Sequence, residues 1–242
     1  MNDNPYMQEE NRIAVSREKL SGIMSKVFLL MFVGLAVSAA GAIAFSTLYQ
    51  KALTDGDAVM FRNLTAVMVV SIILEIVFVI IANVAITKNN AALGGIMFFL
   101  YAAVNGVTLS SILLNYEVGS VVNCLIGTAV VFILMAVWGF VTRKNLSGIG
   151  NLGMMLLFGV IIMSLLNLVI FRSSGMDLFI SVIGLAVFVG LTAYDTQKIK
   201  EFAQAHGDYS EGTVAILGAL ELYLDFINMF LFIIRLFGKH SD

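Results

Sequence analysis

Seven mostly apolar runs, each long enough to cross a bilayer and joined by short connections, leave this chain few folds to choose from. They lie at Val27–Tyr49, Leu64–Thr87, Ala91–Leu114, Val121–Thr142, Asn151–Phe171, Leu178–Gln197 and Thr213–Phe237. A bilayer's hydrocarbon core takes about 20 apolar residues of helix. Inside it, backbone N–H and C=O groups must be satisfied within a helix or a closed barrel. Barrel strands would be about 10 residues long and alternate in polarity, and these runs do neither. Only 12% of the chain is charged, against about 25% in a soluble domain. The expected fold is therefore an all-α membrane protein with seven transmembrane helices. Glycines recur through the runs, as at Gly34, Gly41, Gly106 and Gly184, where small residues let helices pack closely in lipid.

Residues 1–26 are polar and mixed in charge, with no apolar stretch leading to a small-residue cleavage site. They read as a retained cytoplasmic tail, in which Ile13, Val15 and Leu20 line a short surface helix; residues 27–242 form the seven-helix domain. Pro5 is the one proline, so no span is kinked by proline. Lysine and arginine set orientation. Arg12, Arg17, Lys19, Lys26, Lys88, Arg143, Lys144, Lys198 and Lys200 fall on one side, and Lys51, Arg62, Arg172 and Lys239 on the other. That bias puts the N-terminus in the cytoplasm, and seven spans put the C-terminus outside.

The last run is the one with polar residues at depth. Ala215–Phe237 carries Glu221, Asp225, Asn228 and Arg235. A charge at the centre of a membrane helix costs about 2.5–3.5 kcal/mol on insertion scales, so such residues mark sites. Glu221 and Asp225 are four apart and share a face, which Asn228 joins. Arg235 lies fourteen residues after Glu221, close to four turns, and returns to roughly the same side. Glu75 sits among apolar neighbours in the second run. It reads either as a protonated acid bonded to a neighbouring helix or as part of an ion path with Glu221, Asn228 and Arg235. Asp195, near the end of the sixth run, reads either as an interfacial residue or as a second acid facing the seventh.

Several chemistries are excluded. Gly148 to Gly153 matches G-x-G-x-x-G but follows no strand and enters a membrane run. His206 and His240 have no Cys or second His at ligand spacing, so no zinc site is indicated. Cys124 is alone and forms no internal disulfide. The thirteen methionines read as packing. No Ser/His/Asp or Cys/His constellation appears, so neither catalytic residues nor a cofactor are expected. The net charge of −2 gives no nucleic-acid footprint.

Tyr194-Asp195-Thr196-Gln197 closing the sixth run, and Leu222-Tyr223-Leu224-Asp225-Phe226-Ile227-Asn228 in the seventh, resemble the Bax inhibitor-1 family, also called the transmembrane Bax inhibitor motif family. The resemblance covers nearly the whole chain beyond the tail. It implies a bacterial member with the seventh span central among the other six. It also implies a pH-sensitive calcium leak, gated by an aspartate pair that maps onto Asp195 and Asp225. A glutamate in the family's second span matches Glu75. Some relatives pair the aspartates with a basic residue ending that span; here the arginine is absent and Lys88 is the nearest base. Bacterial relatives are also linked to a membrane-bound AAA protease, which they restrain.

Two carboxylates about 4 Å apart at an effective dielectric near 20 repel by about 4 kcal/mol. A proton shared between them holds two helices together, and its loss releases them. Fully ionised, the same oxygens are hard ligands for Ca2+. The leading expectation is thus a Ca2+ leak of the bacterial inner membrane, its partners being lipid, Ca2+ and protons. The alternative is a non-conducting regulator that binds other membrane proteins, such as the AAA protease. A proton-coupled transporter, with saturable flux of a small solute, is a third.

Overall fold

The computed structural model describes residues 5–204 and 209–241, with side chains from residue 18 onward. The first four residues of the expected tail, and His206, lie outside the described residues. Seven helices succeed one another: α1 Pro5–Thr54, α2 Ala58–Thr87, α3 Ala91–Asn115, α4 Val118–Val141, α5 Ser147–Leu166, α6 Ser174–Gln204 and α7 Glu211–Phe237. A π-helical turn, Asn167–Phe171, extends α5. All seven are long and apolar enough to span a bilayer, and no strand occurs among the described residues.

Helix ends are set by local chemistry rather than by where hydrophobicity fades. α2 starts at Ala58, six residues before its apolar run, because Asp57 Oδ1 accepts the N–H groups of Val59 and Met60 at 3.0 and 2.9 Å. Asn90 caps α3 through the Leu93 N–H, and Ser210 caps α7 through the Thr213 N–H. Such caps satisfy amides that have no partner within the helix. α6 runs seven residues past Gln197, to Gln204, through good helix formers that contain no breaker. α1 begins within the segment read as tail. Its Leu20, Ile23 and Met24 are buried; the side chains of Ile13 and Val15 lie outside the described residues.

α7 is the axis of the bundle. Of its most apolar stretch 72% is buried, against 6% for α2 and 11% for α5. It packs on α1 and α3 from one side and on α6 and α4 from the other, and it touches α2. α5 is the exception to the expected ring, since it packs on α6 and does not reach α7. Antiparallel neighbours and an odd number of helices place the two ends of the chain at opposite ends of the bundle. The end of α6 and the start of α7 lie at the amino-terminal end.

Close backbone approach fixes the crossing of α4 with α6. A Cβ on Gly139 of α4 would collide with the Ala193 carbonyl of α6, two residues before Asp195. Gly127, on the same helix, has nothing within 4 Å of its Cβ position. Overpacking a tight contact costs about 1–3 kcal/mol, and more when backbone must move. Gly139→Leu is therefore expected to lower the unfolding temperature of the detergent-solubilised protein by several degrees, and Gly127→Leu to leave it nearly unchanged. Equal effects would contradict this account of the crossing.

Candidate functional site

α6 descends to the amino-terminal end of the bundle and α7 climbs back beside it, so acids on the two helices can meet at one level. Asp195 lies nine residues before the end of α6, or about 14 Å of helix. Asp225 lies fourteen residues after the start of α7, or about 21 Å. The extension of α6 to Gln204 brings the two levels close. Their carboxyls face each other within hydrogen-bonding reach. Asp225 is 3% exposed, at the centre of the bundle.

Two more charged groups complete the cluster. Glu221, one turn before Asp225, is in the field of both aspartates. It pairs with Lys198, whose Nζ lies 2.5 Å from Glu221 Oε1. Lys198 is three residues after Asp195 and projects from the same face of α6. The cluster therefore holds three carboxyls and one ammonium, contributed by α6 and α7 alone. Glu221 Oε2 and Asp225 Oδ2 are buried and accept no hydrogen bond from any described residue. Neighbouring bonds hold the frame. Gln197 accepts the Leu146 N–H at 2.8 Å and donates to the Lys144 carbonyl at 2.9 Å, tying the α4–α5 connection to α6. Lys200 donates to the Phe140 carbonyl at 2.7 Å, near the end of α4.

Glu75 does not join the aspartates. It accepts from Thr108 Oγ1 at 2.5 Å and from the Asn105 amide, both on α3. Asn105 Oδ1 in turn accepts from the Tyr223 hydroxyl at 2.9 Å, and Tyr223 contacts Ser38 Oγ at 2.6 Å. This chain of bonds joins α2, α3, α7 and α1. Tyr223 stands two residues from both Glu221 and Asp225, so it faces the other side of α7. Asn228 is partly buried and donates back to the Leu224 carbonyl of its own helix at 2.8 Å. Arg235 is exposed, its guanidinium 5.6 Å from the Phe232 ring centroid, and about 21 Å along the helix from Glu221. Lys88 is exposed, and no ion pair holds it among the described residues. The base beside the aspartates is Lys198.

The sequence profile of the family described as inhibitor of apoptosis-promoting Bax1 matches residues 20–242. The chain belongs to the Bax inhibitor-1 family. It is 37% identical to an uncharacterised protein of Borreliella burgdorferi, over 97% of each chain. It is 36% identical to the inner membrane protein YbhL of Escherichia coli K12, over 94% of this chain and 95% of that one. An uncharacterised membrane protein of Streptococcus pyogenes is 35% identical over 92% and 94%. Seven apolar helices and these relatives identify a multi-pass membrane protein of the family.

No group of three His, Cys, Asp or Glu side chains able to hold a metal ion occurs among the described residues. Asp195 and Asp225 carry four carboxylate oxygens between them, against the six to eight oxygen ligands that Ca2+ takes.

Proposed function

We propose that this protein is a pH-regulated Ca2+ leak of the bacterial inner membrane, with its N-terminus cytoplasmic and its C-terminus outside. The observation that carries the reading is the facing of Asp195 and Asp225 across the α6–α7 contact. An ionised carboxylate only accepts hydrogen bonds, so two of them bond only when a proton lies between them. With that proton in place the pair ties α6 to α7. Its loss sets two charges against each other at a cost of about 4 kcal/mol, and the helices part. Flux is then low in mild acid and rises with pH. Toward the carboxyl-terminal end, the ring centroids of Phe188 of α6 and Phe232 of α7 lie 6.0 Å apart, a contact that parting α6 from α7 loosens.

Sealed vesicles holding only this protein and loaded with Ca2+ test the proposal. Efflux that exceeds protein-free vesicles and rises from mildly acidic to mildly alkaline pH is expected. No efflux at any pH would overturn the leak and leave the non-conducting regulator, with a membrane protease among its partners. Orientation is checked separately. A reporter active only outside the cytoplasm, fused after Asp242, is expected to be active; a silent one would reverse the topology.

A further inference from the structure

The carboxyl-terminal end of the bundle holds a second polar feature, unrelated to the acidic cluster. A cleft of about 1030 Å3 lies between the π-helical turn, the start of α6 and the end of α7. Arg172 and Arg235 both line it, and neither makes an ion pair among the described residues. We propose that this cleft binds a phosphate group, carried by an anionic phospholipid or free in solution.

Three observations carry the assignment. Ser181, on the cleft wall, is 1% exposed, and its hydroxyl has no hydrogen-bond partner among the described residues. Elsewhere in the bundle Ser71, Thr128, Thr192 and Thr196 each donate to the carbonyl four residues back. Ser181 does not, and keeps its donor for an acceptor in the cleft. Arg172 is held at φ 47°, a left-handed conformation that a side-chain-bearing residue adopts only at a cost. Its N–H donates to the Asn167 carbonyl at 2.7 Å, at the end of the π turn. π turns concentrate at functional sites. Asn167, 3% exposed, locks that geometry by accepting the Ser173 N–H at 3.0 Å and donating to Asp177 Oδ1 at 2.6 Å.

Among the described residues Asp177 is the one carboxylate on the cleft wall, and the Asn167 amide already occupies one of its oxygens. Among the described residues, two guanidiniums stand against one carboxylate on the cleft wall, which gives it a net positive charge. Guanidiniums bind phosphate oxygens bidentately, and the first turn of α6, beginning at Ser174 on the cleft, adds its positive end. The rim is apolar: Leu165, Leu168 and Leu178 are 58%, 72% and 56% exposed. A lipid with its phosphate on the arginines would lay acyl chain along these leucines. Basic pockets between membrane helices bind lipid head groups in this way.

Native mass spectrometry and thermal unfolding of the purified full chain test the site, with phosphatidylglycerol, phosphatidylcholine and inorganic phosphate as separate probes. Phosphatidylglycerol is expected to be retained and to raise the unfolding temperature, and phosphatidylcholine to do neither. Arg172→Gln with Arg235→Gln is expected to weaken retention at least about tenfold, a 1.4 kcal/mol change. Ser181→Ala should weaken it less, and Lys51→Gln, at the same end but off the cleft, not at all. Stabilisation by inorganic phosphate that displaces the lipid would assign the site to a soluble phosphate. Equal retention of both lipids with no response to phosphate, or retention unaffected by the arginine changes, would overturn the proposal. The arginines are exposed, so their replacement is not expected to unfold the chain; Ser181→Ala, a smaller change, gives the independent reading.

Discussion

Asp225→Asn is expected to abolish the pH dependence of Ca2+ efflux. The asparagine keeps the shape of the side chain and donates permanently to Asp195, so the α6–α7 tie no longer depends on a proton. What disappears is the repulsion of two ionised carboxyls. At about 4 kcal/mol it bounds the pH-driven change in open population at about three orders of magnitude, since each 1.4 kcal/mol is tenfold. Efflux from vesicles holding Asp225→Asn should stay at the low, acid-like level across the whole pH range. A rise with pH as steep as in the unaltered protein would remove Asp225 from the gate. Asp225 is 3% exposed, so thermal unfolding of the variant is needed beside the flux, to show that a silent protein is a folded one.

Lys198→Met is expected to have the largest effect on stability among the charged positions. It leaves Asp195, Glu221 and Asp225 in one cluster with no cation. Removing one partner of a buried ion pair costs about 3–5 kcal/mol. The Lys198 and Glu221 side chains retain 30% and 20% exposure, so screening by solvent reduces the loss to about 1–3 kcal/mol. That is a drop of several degrees in unfolding temperature for a chain of this size. Glu221→Met added to Lys198→Met is expected to recover most of it, because an apolar pair of similar volume replaces a buried ion pair at little net cost. A double variant as unstable as the sum of the two single ones would show that the ion pair is not the interaction lost.

The sequence marks the acidic face of α7 plainly, because residues 221 and 225 are one turn apart in an otherwise apolar run. The bond between Asp195 and α7 depends on the length of α6, which hydrophobicity alone truncates at Gln197. Helix propensity through Lys198–Gln204 carries it further. Lys198, which faces Glu221, falls in that same charged stretch. The signal was its three-residue spacing from Asp195. Arg235 is the converse case. Fourteen residues return it to the face of Glu221 in projection, but about 21 Å of rise puts it at the other end of the bundle, over Phe232. Glu75 was legible as a buried acid and not as a partner of Thr108 and Asn105, since which helix lies beside α2 is decided by tertiary packing.

The shared proton is tested most directly by a cycle of Asp195→Asn, Asp225→Asn and the double variant, with Ca2+ efflux from sealed vesicles read from mildly acidic to mildly alkaline pH. If the two carboxyls act as one unit, either replacement removes the pH dependence and the second changes nothing further. If the loss in the double variant equals the product of the two single losses, the aspartates act independently and the proton-sharing gate is wrong.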